Sequence, residues 1–113
     1  VELGYYIGLN GCSLRTEENL AVAAKVPLDR LLLETDSPWC GVKNTHAGMK
    51  HVTTTFTTKK RNKFELGYMV KDRNEPCTMV QVLEIVAAIK NVDPSELTRL
   101  VYDNTERLFF PEK

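Results

Sequence analysis

The fold is decided by the stretch RLLLETDSPW, residues 30–39. The consecutive leucines Leu31–Leu33 leave neither side of an extended segment polar, which is typical of a parallel strand covered on both faces. Two carboxylates, Glu34 and Asp36, follow the leucines directly. In parallel α/β sheets the chemistry lies beyond the carboxyl ends of the strands, so this stretch predicts both an α/β fold and the position of a site.

A second strand precedes the leucine strand in the sequence, and a helix separates the two. Tyr5–Leu9 is short, apolar and β-prone, and the turn pair Asn10-Gly11 closes it. The segment from Thr16 to Lys25 has helical spacing of its apolar residues and begins with a capping threonine and two acidic residues. Strand, helix and strand within about 30 residues predict one βαβ unit with a right-handed crossover.

Two further helices are predicted toward the C terminus. The first follows Asn74-Glu75-Pro76 and continues to about Lys90, and Asp93-Pro94 is a strong start signal for the second. Asn104 and Thr105 lie on the apolar stripe of that second helix, so we expect them to be buried and hydrogen-bonded. The other members of the stripe are Leu97, Leu100, Val101 and Leu108. Residues 39–73 show no regular pattern, and loops of this length are usually functional or mobile.

Composition excludes some classes of protein and leaves others open. The 113 residues contain 15 basic and 15 acidic side chains, so a net charge of zero provides no global field to attract nucleic acid. No run of about 18 apolar residues predicts a membrane span, and no signal-peptide pattern is present. The cysteines Cys12, Cys40 and Cys77 form no CxxC pair, which predicts three reduced thiols in an intracellular protein of the nucleus or cytoplasm.

Glu34 and Asp36 are two residues apart, so they share one face of the strand with Leu32. Two carboxylates at the end of a buried strand are costly unless a cation or hydrogen-bond donors neutralise them. A divalent metal would do so. The alternative is that Asp36 only begins the turn that contains Ser37-Pro38.

Several motifs together resemble one family. The string Glu34-Thr35-Asp36-Ser37-Pro38-Trp39 looks like the final signature of the TatD family of metal-dependent deoxyribonucleases, and Arg73-Asn74-Glu75-Pro76 is similar to the start of its next helix. Asn104-Thr105 followed by Leu108-Phe109 resembles the closing pattern of the family. Cys40-Gly41-Val42-Lys43 with Thr45-His46-Ala47-Gly48 resembles its eukaryotic branch. The resemblance covers about residues 4 to 111.

The resemblance implies the C-terminal part of a (β/α)8 barrel that hydrolyses phosphodiester bonds of DNA with two divalent ions, Mg²⁺ being the usual activator. Residues 1–113 would form one partial domain with strands seven and eight, a loop over about 39–73 and a helical region over about 74–110. Asp36 matches the aspartate that binds metal at the end of the last strand in that family. In this role it is also placed to accept the proton of the attacking water.

The other metal ligands of the family are not in this sequence. They are a His-x-His pair, a glutamate and two further histidines, whereas His46 and His51 both follow the last strand. The chain opens on Val1 instead of Met and enters a strand almost at once, so we expect a piece of a longer protein that is inactive alone. Its open sheet edges predict self-association as one alternative. Hydrolysis of a small amide is the alternative reaction, because a fold does not fix its chemistry.

The remaining candidates each have two interpretations. Glu34 either orients a ligand or supports the site from below. Asn10 either faces substrate or solvent or only forms a turn. His46 either contacts a phosphate or the leaving group or has no role. We expect Arg73 and Glu75 to brace the rim of the site through an ion pair or a helix-cap contact, and the alternative is a direct catalytic role. The basic residues of the long loop either bind the DNA backbone or form a solvated or localisation segment; they are Lys59, Lys60, Arg61 and Lys63.

Overall fold

The computed structural model describes residues 3–112. Strands β1 (Ile7–Leu9) and β2 (Leu31–Leu33) pair in parallel, with Gly8 opposite Leu32, and helix α1 (Glu17–Ala24) connects them. The predicted strand–helix–strand order is therefore confirmed. Both strands are shorter than predicted, because in the described part of the chain each has only the other as a hydrogen-bonded neighbour. Self-association through the outer edges stays a prediction.

The predicted helix signals coincide with the helix starts. The hydroxyl of Thr16 accepts a hydrogen bond from the backbone N–H of Asn19 at 3.0 Å and caps α1. The carboxylate of Asp93 accepts one from the backbone N–H of Ser95 at 3.1 Å, so α3 (Pro94–Phe109) begins where the sequence predicts. Helix α2 (Met79–Lys90) follows a short 3-10 turn over Pro76–Thr78. No helix between residues 3 and 112 is long and apolar enough to cross a membrane.

The core lies where α1, α2 and α3 pack around the pair of strands. Its fully buried members are Leu14, Leu31, Ile85, Val86 and Leu97. The predicted apolar stripe of α3 is correct at Leu97 but wrong at Leu108, which is 40% exposed. The helix packs on α2, on β2 and on the turn before β2, whereas Leu108 and Phe109 in its last turn are exposed.

Asn104 is buried and hydrogen-bonded, as the sequence predicts. Its side-chain amide donates to the carbonyl oxygens of Leu28 at 2.7 Å and Leu31 at 2.8 Å. These two carbonyls belong to the turn that enters β2 and to the first residue of the strand. Because unpaired carbonyls in an apolar core are costly, Asn104 stabilises the entrance to β2.

The long loop contains more regular structure than predicted. A 3-10 turn covers Ala47–His51, and two short parallel strands, β3 (Thr58–Lys59) and β4 (Met69–Val70), form a second sheet. Strands of two residues are too short to show an apolar alternation in the sequence, so the pattern could not predict them.

Glu84 on α2 attaches this loop to the core. Its carboxylate accepts four hydrogen bonds, from the backbone N–H groups and the hydroxyls of Thr53 and Thr54. Burial acts to raise the pKa of Glu84, but these hydrogen bonds outweigh it and hold that pKa below its usual value. The ionised carboxylate therefore stabilises the loop.

We predict that this contribution of Glu84 depends on pH. A lowered pKa in the folded protein means that the stabilisation is present above the usual pKa of 4.5 and is lost as the pH falls through the lower folded value. Amide hydrogen exchange of Thr53 and Thr54 measures it. The protection of these two amides, measured as the exchange rate relative to that of an unstructured peptide at the same pH, should fall below that pH in the native protein. In Glu84→Ala the protection should be low already at pH 7. If the two amides stay protected in Glu84→Ala, Glu84 does not hold the loop.

Candidate metal site at the carboxyl ends of the strands

The carboxyl ends of β1 and β2 bring three polar side chains together. The backbone N–H of Glu34 donates to the carbonyl of Leu9 at 2.9 Å, so the residues after the two strands continue side by side. Asn10 follows β1, and Glu34 and Asp36 follow β2. The predicted position of the site, beyond the carboxyl ends of the strands, is where these residues meet.

Asn10 links the two carboxylates. Its side-chain amide nitrogen donates to Oδ2 of Asp36 and, at 3.4 Å, to Oε1 of Glu34. Its amide oxygen accepts a hydrogen bond from the backbone N–H of Ser13 at 3.2 Å and so caps a 3-10 turn over Gly11–Leu14. Asn10 therefore forms the turn with one end of its amide, and the other end faces the acidic pair. Its contact with substrate stays a prediction.

Asp36 has a left-handed backbone conformation, with a φ of +54°. That conformation is uncommon for a residue with a side chain and costs about 1 kcal/mol. The carbonyl of Asp36 accepts a hydrogen bond from the backbone N–H of Trp39 at 2.8 Å, which closes a tight turn. Asp36 therefore begins a turn, as the alternative interpretation proposed, but its carboxylate also points to Asn10.

Glu34 occupies space that a glycine leaves open. A β-carbon on the neighbouring Gly8 would lie 2.7 Å from Oε2 of Glu34. Burial raises the pKa of Glu34, the negative charge of Asp36 and a hydrogen bond with Asp36 raise it further, and the hydrogen bond from Asn10 partly offsets these effects. Two carboxylates this close favour a cation between or beside them.

Asn74 holds the turn that carries Asp36, and the sequence did not single it out as a site residue. Its side-chain amide donates to the carbonyls of Thr35 at 3.1 Å and Trp39 at 2.9 Å. Its backbone N–H donates to the carbonyl of Pro38 at 3.0 Å. The one available signal was its position within the motif that resembles the family, directly before Glu75-Pro76 and the helix start.

Arg73 and Glu75 do not make the ion pair or helix-cap contact that we expected. Asn74, which lies between them in the sequence, holds the turn at the rim instead. Within residues 3–112 no ion pair joins Arg73 to Glu75, and the side chain of Glu75 does not cap the turn that follows it. The backbone carbonyl of Glu75 accepts a hydrogen bond from the backbone N–H of Thr78 at 3.0 Å instead. A neutral amide can donate to several carbonyls from a buried position without the desolvation cost of a charged group, which explains why Asn74 has this role.

His46 lies in the loop that follows the turn and contacts other parts of that loop. Its Nδ1 accepts a hydrogen bond from the backbone N–H of Lys43 at 3.0 Å. Burial, then the positive charges of Arg15 and Lys43, lower the pKa of His46, so its imidazole is neutral at pH 7. No described hydrogen bond connects it to Asp36, and its contact with a phosphate stays a prediction.

The prediction of three reduced thiols is wrong for two of them. Cys12 and Cys40 form a disulfide with their Cα atoms 5.0 Å apart, and among the described residues only Cys77 is free. Because the two cysteines are 28 positions apart in the sequence, their spacing did not indicate that they follow adjacent strands. The loops approach so closely that a β-carbon at Gly11 would collide with the carbonyl of Cys40. The disulfide thus joins the segment after Asn10 to the segment after Asp36.

The basic residues of the long loop lie in one mostly exposed segment. This basic arm, residues 57–73, contains β3, β4 and a 3-10 turn over Arg61–Lys63, with six basic and two acidic side chains. Lys59 pairs with Glu65 at 2.9 Å and lies over the ring of Tyr68. Lys60, Arg61 and Lys63 are exposed.

The ligand set for a metal is incomplete in the described residues. No three His, Cys, Asp or Glu side chains between residues 3 and 112 converge on a point that could hold an ion. The oxygen atoms of Asp36 and Glu34 are nevertheless hard donors of the kind that Mg²⁺ prefers, and Mg²⁺ sites often use one or two carboxylates together with water and phosphate.

A family model for TatD related DNase matches residues 1–110. The chain belongs to this family. It is 46% identical over 110 residues to the deoxyribonuclease Tat-D of Schizosaccharomyces pombe, and the match covers 96% of this chain and 35% of that protein. It is 36% identical to an uncharacterized metal-dependent hydrolase, YcfH, of Escherichia coli, covering 96% of this chain and 33% of that protein.

A crystal structure of a TatD family hydrolase from Entamoeba histolytica superimposes with a TM-score of 0.94 at 35% identity. The match covers 97% of this chain and 36% of that one. The predicted fold class, part of a (β/α)8 barrel, is confirmed. The chain spans about a third of the length of these TatD relatives.

Proposed function

We propose that this chain provides one side of the active site of a metal-dependent deoxyribonuclease, with Asp36 as a metal ligand. The observation that carries the proposal is the convergence of Asn10, Glu34 and Asp36 beyond the carboxyl ends of two parallel strands. The fission yeast relative, which is named a deoxyribonuclease, supports DNA as the substrate. The relative named a metal-dependent hydrolase supports the requirement for a metal.

The donor set fits a hard divalent cation. Asp36 would hold the ion, with Glu34 adding negative charge beside it, and we propose Mg²⁺ in a site of two ions whose other ligands lie outside this chain. Such ions polarise a phosphoryl oxygen and lower the pKa of a bound water when they are present. Asp36 is the one metal ligand that this proposal assigns to the chain, so we expect the 113 residues alone to be inactive.

Each of the three side chains has a separate task in this proposal. Asn10 donates to one oxygen of Asp36 and leaves the other oxygen available to a cation. Glu34 lies beside Asp36, where burial and the charge of Asp36 raise its pKa, and its carboxylate accepts the second hydrogen bond of the Asn10 amide. Asp36 is the group placed to accept the proton of the attacking water.

Replacing Asp36 with Asn should remove most DNA cleavage by a protein that contains this chain within a complete barrel. The amide keeps the size of the side chain but loses the charge that binds a cation. Asp29→Asn, in the turn that enters β2 at its opposite end, is the matched control and should cleave DNA normally. Circular dichroism checks that both variants are folded. Cleavage by Asp36→Asn at the rate of the control would refute the assignment.

We further propose that the basic arm binds the DNA backbone. The C-terminal end of the arm is held beside the turn of Asp36, because Asn74, the next residue after the arm, bonds to Pro38 and Trp39. Lys60, Arg61 and Lys63 have no role in the ion pairs described above, so they are available to phosphates. The exposed ring of Phe64 beside them can stack on a base.

Reversing two charges of the arm, Lys60→Glu with Arg61→Glu, should raise the KM for DNA and leave kcat at saturating DNA unchanged. Log affinity falls with log salt concentration, and the magnitude of this slope should decrease by about 0.9 for each phosphate of duplex DNA that the arm no longer neutralises. The control reverses Lys25 on the end of α1 and Arg99 on α3, which changes the net charge equally. If the control weakens DNA binding as much, total charge and not the arm is responsible.

A further inference from the structure

Two buried asparagines flank the strand that leads to Asp36. Asn104, 2% exposed, bonds to the carbonyls of Leu28 and Leu31 at the entrance of β2. Asn74, 8% exposed, bonds to the carbonyls of Thr35 and Trp39 beyond its exit. Each side-chain amide donates to two backbone carbonyls at one end of β2, but only the contacts of Asn74 lie on both sides of Asp36, the proposed metal ligand.

The contacts of Asn74 bracket Asp36 on both sides. Thr35 directly precedes Asp36, and Pro38 and Trp39 close the turn after it. The amide oxygen of Asn74 accepts a hydrogen bond from the hydroxyl of Thr78, so both ends of this buried amide have partners and its orientation is fixed. Three backbone carbonyls around Asp36 are therefore hydrogen-bonded to Asn74, whose side chain has a fixed orientation.

The turn needs such an attachment because its conformation is strained. Asp36 holds a left-handed φ of +54° without the freedom of a glycine, and a strained residue keeps its conformation only where its surroundings determine it. The hydrogen bond between Trp39 and Asp36 closes the turn from within, and Asn74 supplies the contacts from outside. Without them the backbone can relax and carry the carboxylate away from Asn10.

We propose that Asn74 is a positioning residue that orients Asp36 toward the divalent cation. The inference rests on the proposed function of Asp36 as a metal ligand. The side-chain amide of Asn74 is hydrogen-bonded to the protein through both its nitrogen and its oxygen, so Asn74 would contact neither the metal nor DNA. Its effect is on the geometry of the ligand, and groups that orient ligands typically change metal affinity by about 10- to 100-fold.

The test compares Asn74→Ala with Asn104→Ala in a protein that contains the complete barrel. Mn²⁺ affinity is measured by titration, with free Mn²⁺ followed by electron paramagnetic resonance, at a temperature where both variants are folded. Both variants lose a buried amide that donates to two backbone carbonyls, so both should unfold at lower temperature. Only Asn74→Ala should bind Mn²⁺ about 10- to 100-fold more weakly. Excess Mn²⁺ should restore its kcat, with the KM for DNA unchanged.

A second, milder variant covers the case in which Asn74→Ala does not fold. Thr78→Ala leaves Asn74 in place but removes the hydroxyl that holds its amide oxygen, and it should weaken Mn²⁺ binding by a smaller factor in the same direction. The inference is overturned if Asn74→Ala, or Thr78→Ala where Asn74→Ala does not fold, binds Mn²⁺ as tightly as Asn104→Ala does. In that case Asp36→Asn still loses the metal, so the proposed function stands. If Asp36→Asn itself keeps normal Mn²⁺ affinity, the proposed function fails and the inference fails with it.

Discussion

The parallel pairing of β1 with β2 is the interaction on which the rest of the site depends. Its register places Leu9 opposite Leu33, and the hydrogen bond from Glu34 to the carbonyl of Leu9 extends the pairing by one residue. Parallel strands end at the same edge of their sheet, so Asn10 and the two carboxylates meet although 24 and 26 positions separate them in the sequence. The close passage of the following loops and the Cys12–Cys40 disulfide are consequences of the same register.

The arrangement concentrates costly features at one point. Two carboxylates share a donor, a residue with a side chain adopts a left-handed conformation, and a buried asparagine is committed to the backbone of a turn. None of these features improves the core, and the strain alone costs about 1 kcal/mol. Strained residues and paired carboxylates persist where their surroundings over-determine them, which is common at functional sites. A bound cation would compensate the repulsion that the protein alone leaves in place.

Much of this could be predicted from the sequence because the signals are local. Three leucines in succession define β2, Asp93-Pro94 defines the start of α3, and the position of Asn104 on an apolar stripe predicts its burial. The position of Asp36 follows from the general rule that sites lie beyond the carboxyl ends of parallel strands.

The features that escaped prediction are those that depend on distant contacts. The disulfide joins residues 28 positions apart, and the bonds of Asn74 reach back 35 and 39 positions to the turn. Apart from its position in the motif that resembles the family, nothing in the neighbourhood of Asn74 distinguishes it from an ordinary residue before a helix. The charged residues beside it, Arg73 and Glu75, drew attention in the sequence, but no ion pair or side-chain cap joins them in the described structure. The two-residue strands of the basic arm carry too few side chains to show a period.

The most direct measurement of the central claim is an anomalous diffraction experiment on crystals of a protein that contains the complete barrel, grown with Mn²⁺. If Asp36 is a metal ligand, an anomalous peak lies about 2.1 Å from one of its carboxylate oxygens, a distance typical of a small divalent cation bound by oxygen. The bond from Asn10 to the other oxygen should remain. A Mn²⁺ peak elsewhere on the protein, with none at Asp36, would show that Asp36 is not a metal ligand.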